Sequence, residues 1–425
     1  MKKAFLFIVY LIVVTTLLGL LLEGISYLIL QKISKSSGGK LKFNRTLSGY
    51  TVFQNTPDYT FPSTIKLNPD DKDVTTNNYG LICDEPITEE KGPNTIRIFL
   101  LGGSAALGAG QNNLYQQVKK YPQGIYAYNN SIAGCLKKYL ALKFPGKKIQ
   151  VVNAACYQWK LHQAMLFYLE TVSHFKPDVV IDMDGYNDVG NIATGYVFEA
   201  TEIAWLKSYV DLKTETENRT NKLNTVRLLN LLLAKRNDVS KTHNRDYFVD
   251  TSVYNQARYE ATKPGLELKS TAFLQVLSEY MGALKNDSVS FVFVLQPMLA
   301  RGINKHLSTT ENKMNTALGT ADPHVKPYVY NDPRIDINKT DFNVDSMVGV
   351  TSLVRRYFFD DWLSDEMRKK VESNGFVYTD MNQDIQNLDS NFEFYTDYCH
   401  LTPAGYKLVA ERIGDIIIQH NMIKQ

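Results

Sequence analysis

The chain has 425 residues, with 47 Lys and Arg against 44 Asp and Glu, a formal charge of +3 and 44% hydrophobic residues. Near neutrality leaves no electrostatic footprint for a nucleic-acid partner, and the composition is that of a folded protein. Four cysteines (Cys83, Cys135, Cys156, Cys399) are too few for a disulfide scaffold and lack CxxC spacing, and the histidines show no HxxxH or HxH pattern, so no metal or other cofactor is expected.

Residues 4–30 form an almost unbroken apolar stretch, and residues 5–22 carry no charge, enough to cross the ~30 Å hydrocarbon core as a helix. A cleaved signal peptide has a shorter apolar core, ~7–15 residues, followed by a small-x-small site. Ser26, Tyr27, Leu28, Ile29 and Leu30 offer no such site, so an uncleaved transmembrane signal anchor over residues 4–30 is expected. Lys2 and Lys3 before it and Lys32, Lys35, Lys40 and Lys42 after it nearly balance under the positive-inside rule. Residues 31–94 read as a linker and juxtamembrane segment, opening on a polar, glycine-rich run.

From Thr95 the pattern alternates. Residues 96–101 are a buried-strand run ended by Gly102-Gly103, and residues 131–144 a helix stopped by Pro145-Gly146. Residues 148–153 form the next strand. Leu161, Ala164, Met165, Tyr168, Leu169 and Val172 share one helical face, and residues 179–183 give a third strand. Strands follow at 288–295 and 376–378, and Thr402-Pro403 starts a terminal helix to about Gln419. Such alternation predicts an α/β fold with a parallel sheet covered on both faces. Residues 199–284 and 300–350 break the alternation and read as insertions into one domain spanning 95–425, the second followed by a helix over 352–372. Their tyrosines (Tyr247, Tyr254, Tyr259, Tyr328, Tyr330) offer rings for a sugar, although scattered tyrosines more often pack.

In a parallel sheet, reactive groups belong at the carboxyl ends of the strands. Those positions hold Gly102-Gly103-Ser104, Asn153 with Cys156-Tyr157-Gln158, and Gly185-Tyr186-Asn187-Asp188; Asp397-Tyr398-Cys399-His400 precedes the last helix. Acyl transfer needs a nucleophile, a base, a group that orients the base, and donors for an oxyanion. Ser104, His400, Asp397 and Asn187 fill those roles in that order. Each block has a plainer reading: a tight or phosphate-binding turn, a loop, a helix-capping pair. Cys399, beside His400, reads as packing or disulfide. The ordered set, each block at a strand end, favours the chemistry.

These blocks resemble the signature blocks of the SGNH (GDSL-like) hydrolase superfamily, from about Thr95 to Ile416, and Asn78-Tyr79-Gly80-Leu81 resembles a lead-in of its membrane-anchored bacterial members. The resemblance implies a three-layer α/β/α flavodoxin-like fold. It implies Ser104 as nucleophile, His400 as base, Asp397 as its partner, and the Ser104 N–H, Asn187 and Gln158 as oxyanion donors. The family commonly has glycine where this chain has Gln158, and glutamine tolerates positive φ poorly. The first block reads Gly-Gly-Ser rather than Gly-Asp-Ser. The implied activity is a membrane-anchored serine esterase acting on an ester-bearing glycan or lipid, its large domain outside the cytoplasm. The alternatives are an O-acyltransferase of cell-surface polysaccharide using the same residues, or a non-catalytic glycan-binding protein.

Overall fold

The computed structural model describes residues 2–36, 45–110, 121–194, 223–226, 228–229, 255–317 and 350–423. The chain divides into two compact units: Met1–Phe43, Ala200–Asp246 and Asn331–Asn338 in one, and Asn44–Glu199, Tyr247–Tyr330 and Lys339–Gln425 in the other.

The smaller unit contains helix α1 (Lys2–Ser36), whose Val9–Ile29 window averages a hydropathy of 2.0 over 21 residues. By length and composition it can cross a membrane, a test that a signal sequence also passes. Leu18, Leu20 and Leu21 are exposed, as a lipid-facing surface would be. The one carboxylate within the window, Glu23, accepts from the backbone N–H groups of Asn224 and Thr225 and from the Thr225 hydroxyl.

The larger unit is built on five parallel strands: β1 (Thr95–Gly102), β2 (Lys148–Asn153), β3 (Val179–Asp184), β4 (Ser290–Leu295) and β5 (Val377–Asp380). Their order is β2-β1-β3-β4-β5, the flavodoxin-like order. Every residue of β1 and β3 is buried, because a parallel sheet is covered on both faces and its strands read as continuous apolar runs. After the short helix α2 (Ser104–Leu107) come α3 (Ile132–Lys143) and α4 (Leu161–Glu170), then α5 (Gln256–Asn286), α6 (Ser364–Ser373) and α7 (Pro403–Gln419). Helices α3 and α7 pack on each other over one face, while α4, α5 and α6 cover the other. The α7 start is as the residues dictate: Thr402 Oγ1 accepts from the Gly405 N–H at 3.0 Å, and Pro403 takes the first turn.

Three expectations change. Residues 44–94 are more than a linker, because those from Arg45 onward pack in the sheet's unit. Strands Arg45–Ser48 and Val52–Asn55 pair with each other, and Ile82 exchanges both backbone hydrogen bonds with Asn153 at 2.9 Å. The Trp159 indole donates to Phe53 O at 2.8 Å, tying this segment to the loop after β2. Second, α5 starts at Gln256 and runs through Pro264; packed on α4 and β4, it is a layer of the fold and not an insertion. Tertiary burial of residues such as Tyr259, Leu266 and Phe273 outweighs the local cost of proline. Third, the helix expected at 352–372 is a π-helix over Val354–Leu363 before it becomes α6.

Tyr259 offers no ring to a sugar: it is fully buried, stacked on Tyr357 at 5.3 Å, and donates to Asp361 at 2.5 Å. Tyr247, Tyr254, Tyr328 and Tyr330 lie outside the described residues. All four cysteines are free thiols, so the disulfide reading of Cys399 falls; it is a buried packing residue, and burial pushes its thiol well above the usual range.

Candidate active site

The chain winds from β1 to β2 in one direction and returns to β3 on the other side of β1, so the crevice opens between the carboxyl ends of β1 and β3. Ser104 follows β1 there. Gly102 turns the chain at φ +129°, and a Cβ on it would stand 2.2 Å from Met183 O, so only glycine fits. Ser104 then opens α2, whose first N–H groups have no acceptor within the helix. Asn153 holds the other end of α2, donating to Ala106 O at 3.0 Å and Leu107 O at 3.2 Å.

His400 arrives from the far side on the loop before α7. Its Nε2 is 2.8 Å from Ser104 Oγ, and its Nδ1 is 2.8 Å from Asp397 Oδ2. The other Asp397 oxygen accepts from the backbone N–H groups of Cys399 at 3.0 Å and His400 at 2.8 Å, so one carboxylate both shapes the loop and orients the ring. Burial pushes the Asp397 carboxyl up, but the adjoining His400 and these two N–H donors outweigh it and hold the group below the usual carboxylate range. Among the described residues, Asp397, Cys399 and His400 are also the one grouping with metal-ligand proximity. The Asp397 oxygens and both His400 nitrogens are already engaged within the protein, which does not fit a metal site.

Asn187 follows β3 and faces the same crevice. Its Nδ2 donates to Trp159 O at 2.8 Å, leaving the second amide hydrogen for a ligand. Gln158 reaches the cleft rim from the turn after β2 with φ +64°, a left-handed conformation that glycine adopts most readily. Its side chain explains how: Oε1 accepts from Arg45 at 2.8 Å. The cleft above Ser104 measures ≈ 600 Å³. Tyr186 and Tyr398 form one wall, stacked at 4.8 Å, with the Arg355 guanidinium 4.8 Å above the Tyr186 ring. Thus Ser104, Asn187, Gln158 and His400 line one cleft, with Asp397 behind His400.

Two features escaped the sequence reading. Arg45, from the segment taken as a linker, lines the cleft. Asp182 and Asp184 are both fully buried on the face of β3 opposite to that of Ile181 and Met183, facing Tyr280 of α5. Two carboxylates cannot satisfy each other as acceptors unless one keeps a proton, and none of their oxygens has a donor within hydrogen-bonding geometry. Burial first raises both above the ordinary carboxylate range; the charges of Asp182 and Asp188 push Asp184 further, and that of Asp188 pushes Asp182. The signal was available: two acids two apart in a strand buried on both faces. A raised pKa means the folded state keeps a proton that the unfolded chain releases. Stability is therefore full below about pH 4, the ordinary value, and falls as pH rises from there through neutrality. Asp182→Asn, which supplies a permanent donor to Asp184, is expected to flatten that dependence and raise stability at about pH 8 by on the order of 2 kcal/mol, read from thermal midpoints at about pH 5 and pH 8. An unchanged slope would rule out the shared proton.

No family model and no curated protein matches the chain. Among solved structures, it is similar to an acetyl xylan esterase at 12% identity, covering 76% of this chain and 100% of that one, with a TM-score of 0.33. Similar too are a lipase/acylhydrolase from Enterococcus faecalis (9% identity, 77% and 97% covered, TM-score 0.34) and a GDSL-like lipase from Bacteroides thetaiotaomicron (9%, 78% and 92%, TM-score 0.32). Likeness of this degree carries nothing about activity; the strand order and the geometry of the cleft are this chain's own.

Proposed function

We propose that this chain is an SGNH-type serine esterase, held at a membrane by α1 with its large unit outside the cytoplasm, that hydrolyses short-chain acyl esters of a glycan or lipid. The observation that carries the reading is the unbroken hydrogen-bond chain from Asp397 through His400 to Ser104, with 2.8 Å at each ring nitrogen, opening on a cleft at the sheet's switch point. Ser104 Oγ attacks the ester carbonyl as its proton passes to His400 Nε2. The oxyanion is met by the Ser104 N–H, the Asn187 amide and the Gln158 N–H. The tetrahedral intermediate expels the alcohol, which takes the proton from His400. Water then gives its proton to His400 and attacks the acyl-enzyme; collapse releases the acid and returns the proton to Ser104. No step needs a cofactor.

An acceptor hydroxyl in place of water would make the same residues an O-acyltransferase, and a cleft of ≈ 600 Å³ has room for acyl group and acceptor together. The full-length protein in detergent is expected to react with a fluorophosphonate at Ser104, and to turn over 4-nitrophenyl acetate faster than the octanoate. Equal labelling of Ser104→Ala would sink the nucleophile assignment. Labelling without hydrolysis until a sugar acceptor is added would move the reading to the transferase. Topology is separately checked by protease digestion of intact cells: a large unit protected until the cells are permeabilised would reverse the orientation.

A further inference from the structure

We infer that Glu311 is a positioning residue of the proposed proton path: it holds the base of the loop that carries Asp397 and His400, and so sets where His400 Nε2 meets Ser104. The inference deepens the esterase reading and rests on it for the chemistry at the loop's tip. The hold on the loop stands on separate observations.

Ser308-Thr309-Thr310-Glu311 has the spacing of a capping box at the start of the helix Thr309–Ala317. The box is made in both directions: the Glu311 N–H donates to Ser308 Oγ at 3.1 Å, and Glu311 Oε2 accepts from the Ser308 N–H at 2.8 Å. That task needs one carboxylate oxygen and no burial. Glu311 is nevertheless fully buried, and its other oxygen, Oε1, accepts from the consecutive backbone N–H groups of Phe394 at 2.7 Å and Tyr395 at 3.0 Å. Lys305 Nζ, buried beside it, lies 2.7 Å from Oε2 and supplies the counter-charge that a carboxylate at this depth requires. These donors fill the roughly four acceptor sites of the group, with Oε2 serving its own turn and Oε1 serving the loop.

Phe394 and Tyr395 are where that loop begins. Phe394 O accepts from the Thr402 N–H and His400 O from the Thr396 N–H, both at 2.9 Å, and Tyr395 bridges Leu401. The two arms therefore close on each other, with Asp397 and His400 at the tip. Glu311 fixes the direction of the first arm two residues before Asp397, the group that orients the imidazole. The same stretch after β4 holds the loop twice more. Asn304 Oδ1 accepts from the Tyr395 hydroxyl at 3.2 Å, and the Leu299 N–H donates to Tyr398 O at 3.0 Å. A base displaced by about 1 Å costs a reaction about 10²-fold even when the cause lies away from the reacting atoms, so this brace bears on rate and not on folding alone.

The test uses the full-length protein in detergent with 4-nitrophenyl acetate. In Glu311→Gln, Lys305 draws the amide oxygen to its own side, which turns the NH₂ toward the Phe394 and Tyr395 N–H groups and pushes the loop away. Its kcat is expected to fall by about 10- to 100-fold, with KM within about threefold of wild type. Ser308→Ala removes the cap hydroxyl of the same helix and leaves the carboxylate to the loop. It is expected to lower the thermal midpoint while kcat stays within about twofold. In the Asp397→Asn background, where His400 no longer acts as base, adding Glu311→Gln is expected to cost no more than about threefold further. An unchanged kcat in Glu311→Gln, losses that multiply with Asp397→Asn, or an equal fall of kcat in Ser308→Ala overturns the inference, and Glu311 is then a support of the fold at large. Should Glu311→Gln not fold, Glu311→Asp takes its place with the same outcomes, since it keeps the charge beside Lys305 and is one methylene short of the loop. Wild type without turnover is instead a failure of the esterase reading, and hydrogen exchange of residues 394–400 then decides the hold. Exchange there about tenfold or more faster in Glu311→Gln, with β1 and β3 unchanged, sustains it; equal exchange overturns it.

Discussion

Ser104→Ala is expected to lower kcat/KM for 4-nitrophenyl acetate by about 10⁵-fold, with His400→Ala costing about as much and the double variant no more than either. In the proposed mechanism Ser104 and His400 pass one proton between them, so once either is gone the other has nothing to do. Asp397→Asn is the finer probe. Its Oδ1 would still accept from the Cys399 and His400 N–H groups, so the loop keeps its shape. The amide NH₂ would then face His400 Nδ1, which must turn acceptor, leaving the proton on Nε2 opposite Ser104 Oγ. A base already carrying its proton cannot take another, and a loss of about 10⁴-fold follows. Ser104 is a small, partly exposed residue, so its replacement should leave stability within about 0.5 kcal/mol. Activity retained within about tenfold in either Ser104→Ala or His400→Ala would exclude the proposed path.

These residues were legible because each stands at a punctuation mark. Gly102-Gly103, Gly185 and Thr402-Pro403 are strong local signals, and the candidate side chains follow or precede them within a few positions. The strand cores were legible for a related reason: a strand buried on both faces is apolar without a break, and the β2 boundaries match the pattern residue for residue. What failed was anything fixed by distant pairing. The strands of residues 45–65 are two to four residues long, too short to display a period, and their place comes from contacts such as Trp159 with Phe53 and Ile82 with Asn153. Pro264 marked a boundary in the sequence, yet burial carries α5 through it. Glutamine is ill-suited to the positive φ of Gln158, and the Arg45 that its side chain meets lies 113 positions away, beyond any local reading.

Gly103→Ala is expected to cost about 10²- to 10³-fold in kcat, and the reason is space rather than backbone strain. Gly103 has φ −85° and ψ −158°, which any residue can adopt. A Cβ there would stand 2.4 Å from Asn187 Nδ2 and 3.3 Å from Trp159 O, the two atoms joined by the 2.8 Å hydrogen bond that seats the amide. The backbone carbonyl is held by the chain, so the amide must move. A donor displaced by an ångström no longer meets the oxyanion, and losing one such donor is worth about that factor. The Gly-Asp-Ser form common in the superfamily this chain resembles would collide in the same way, so Gly-Gly-Ser here is tied to how Asn187 is seated. Asn187→Ala should therefore cost a similar factor, and adding Gly103→Ala to it should cost little more, because the methyl then has no amide to displace. Steady-state kcat for the two single variants and the double decides it. If the losses multiply, Gly103 acts through something other than Asn187, and the assignment of that amide to the oxyanion loses its support.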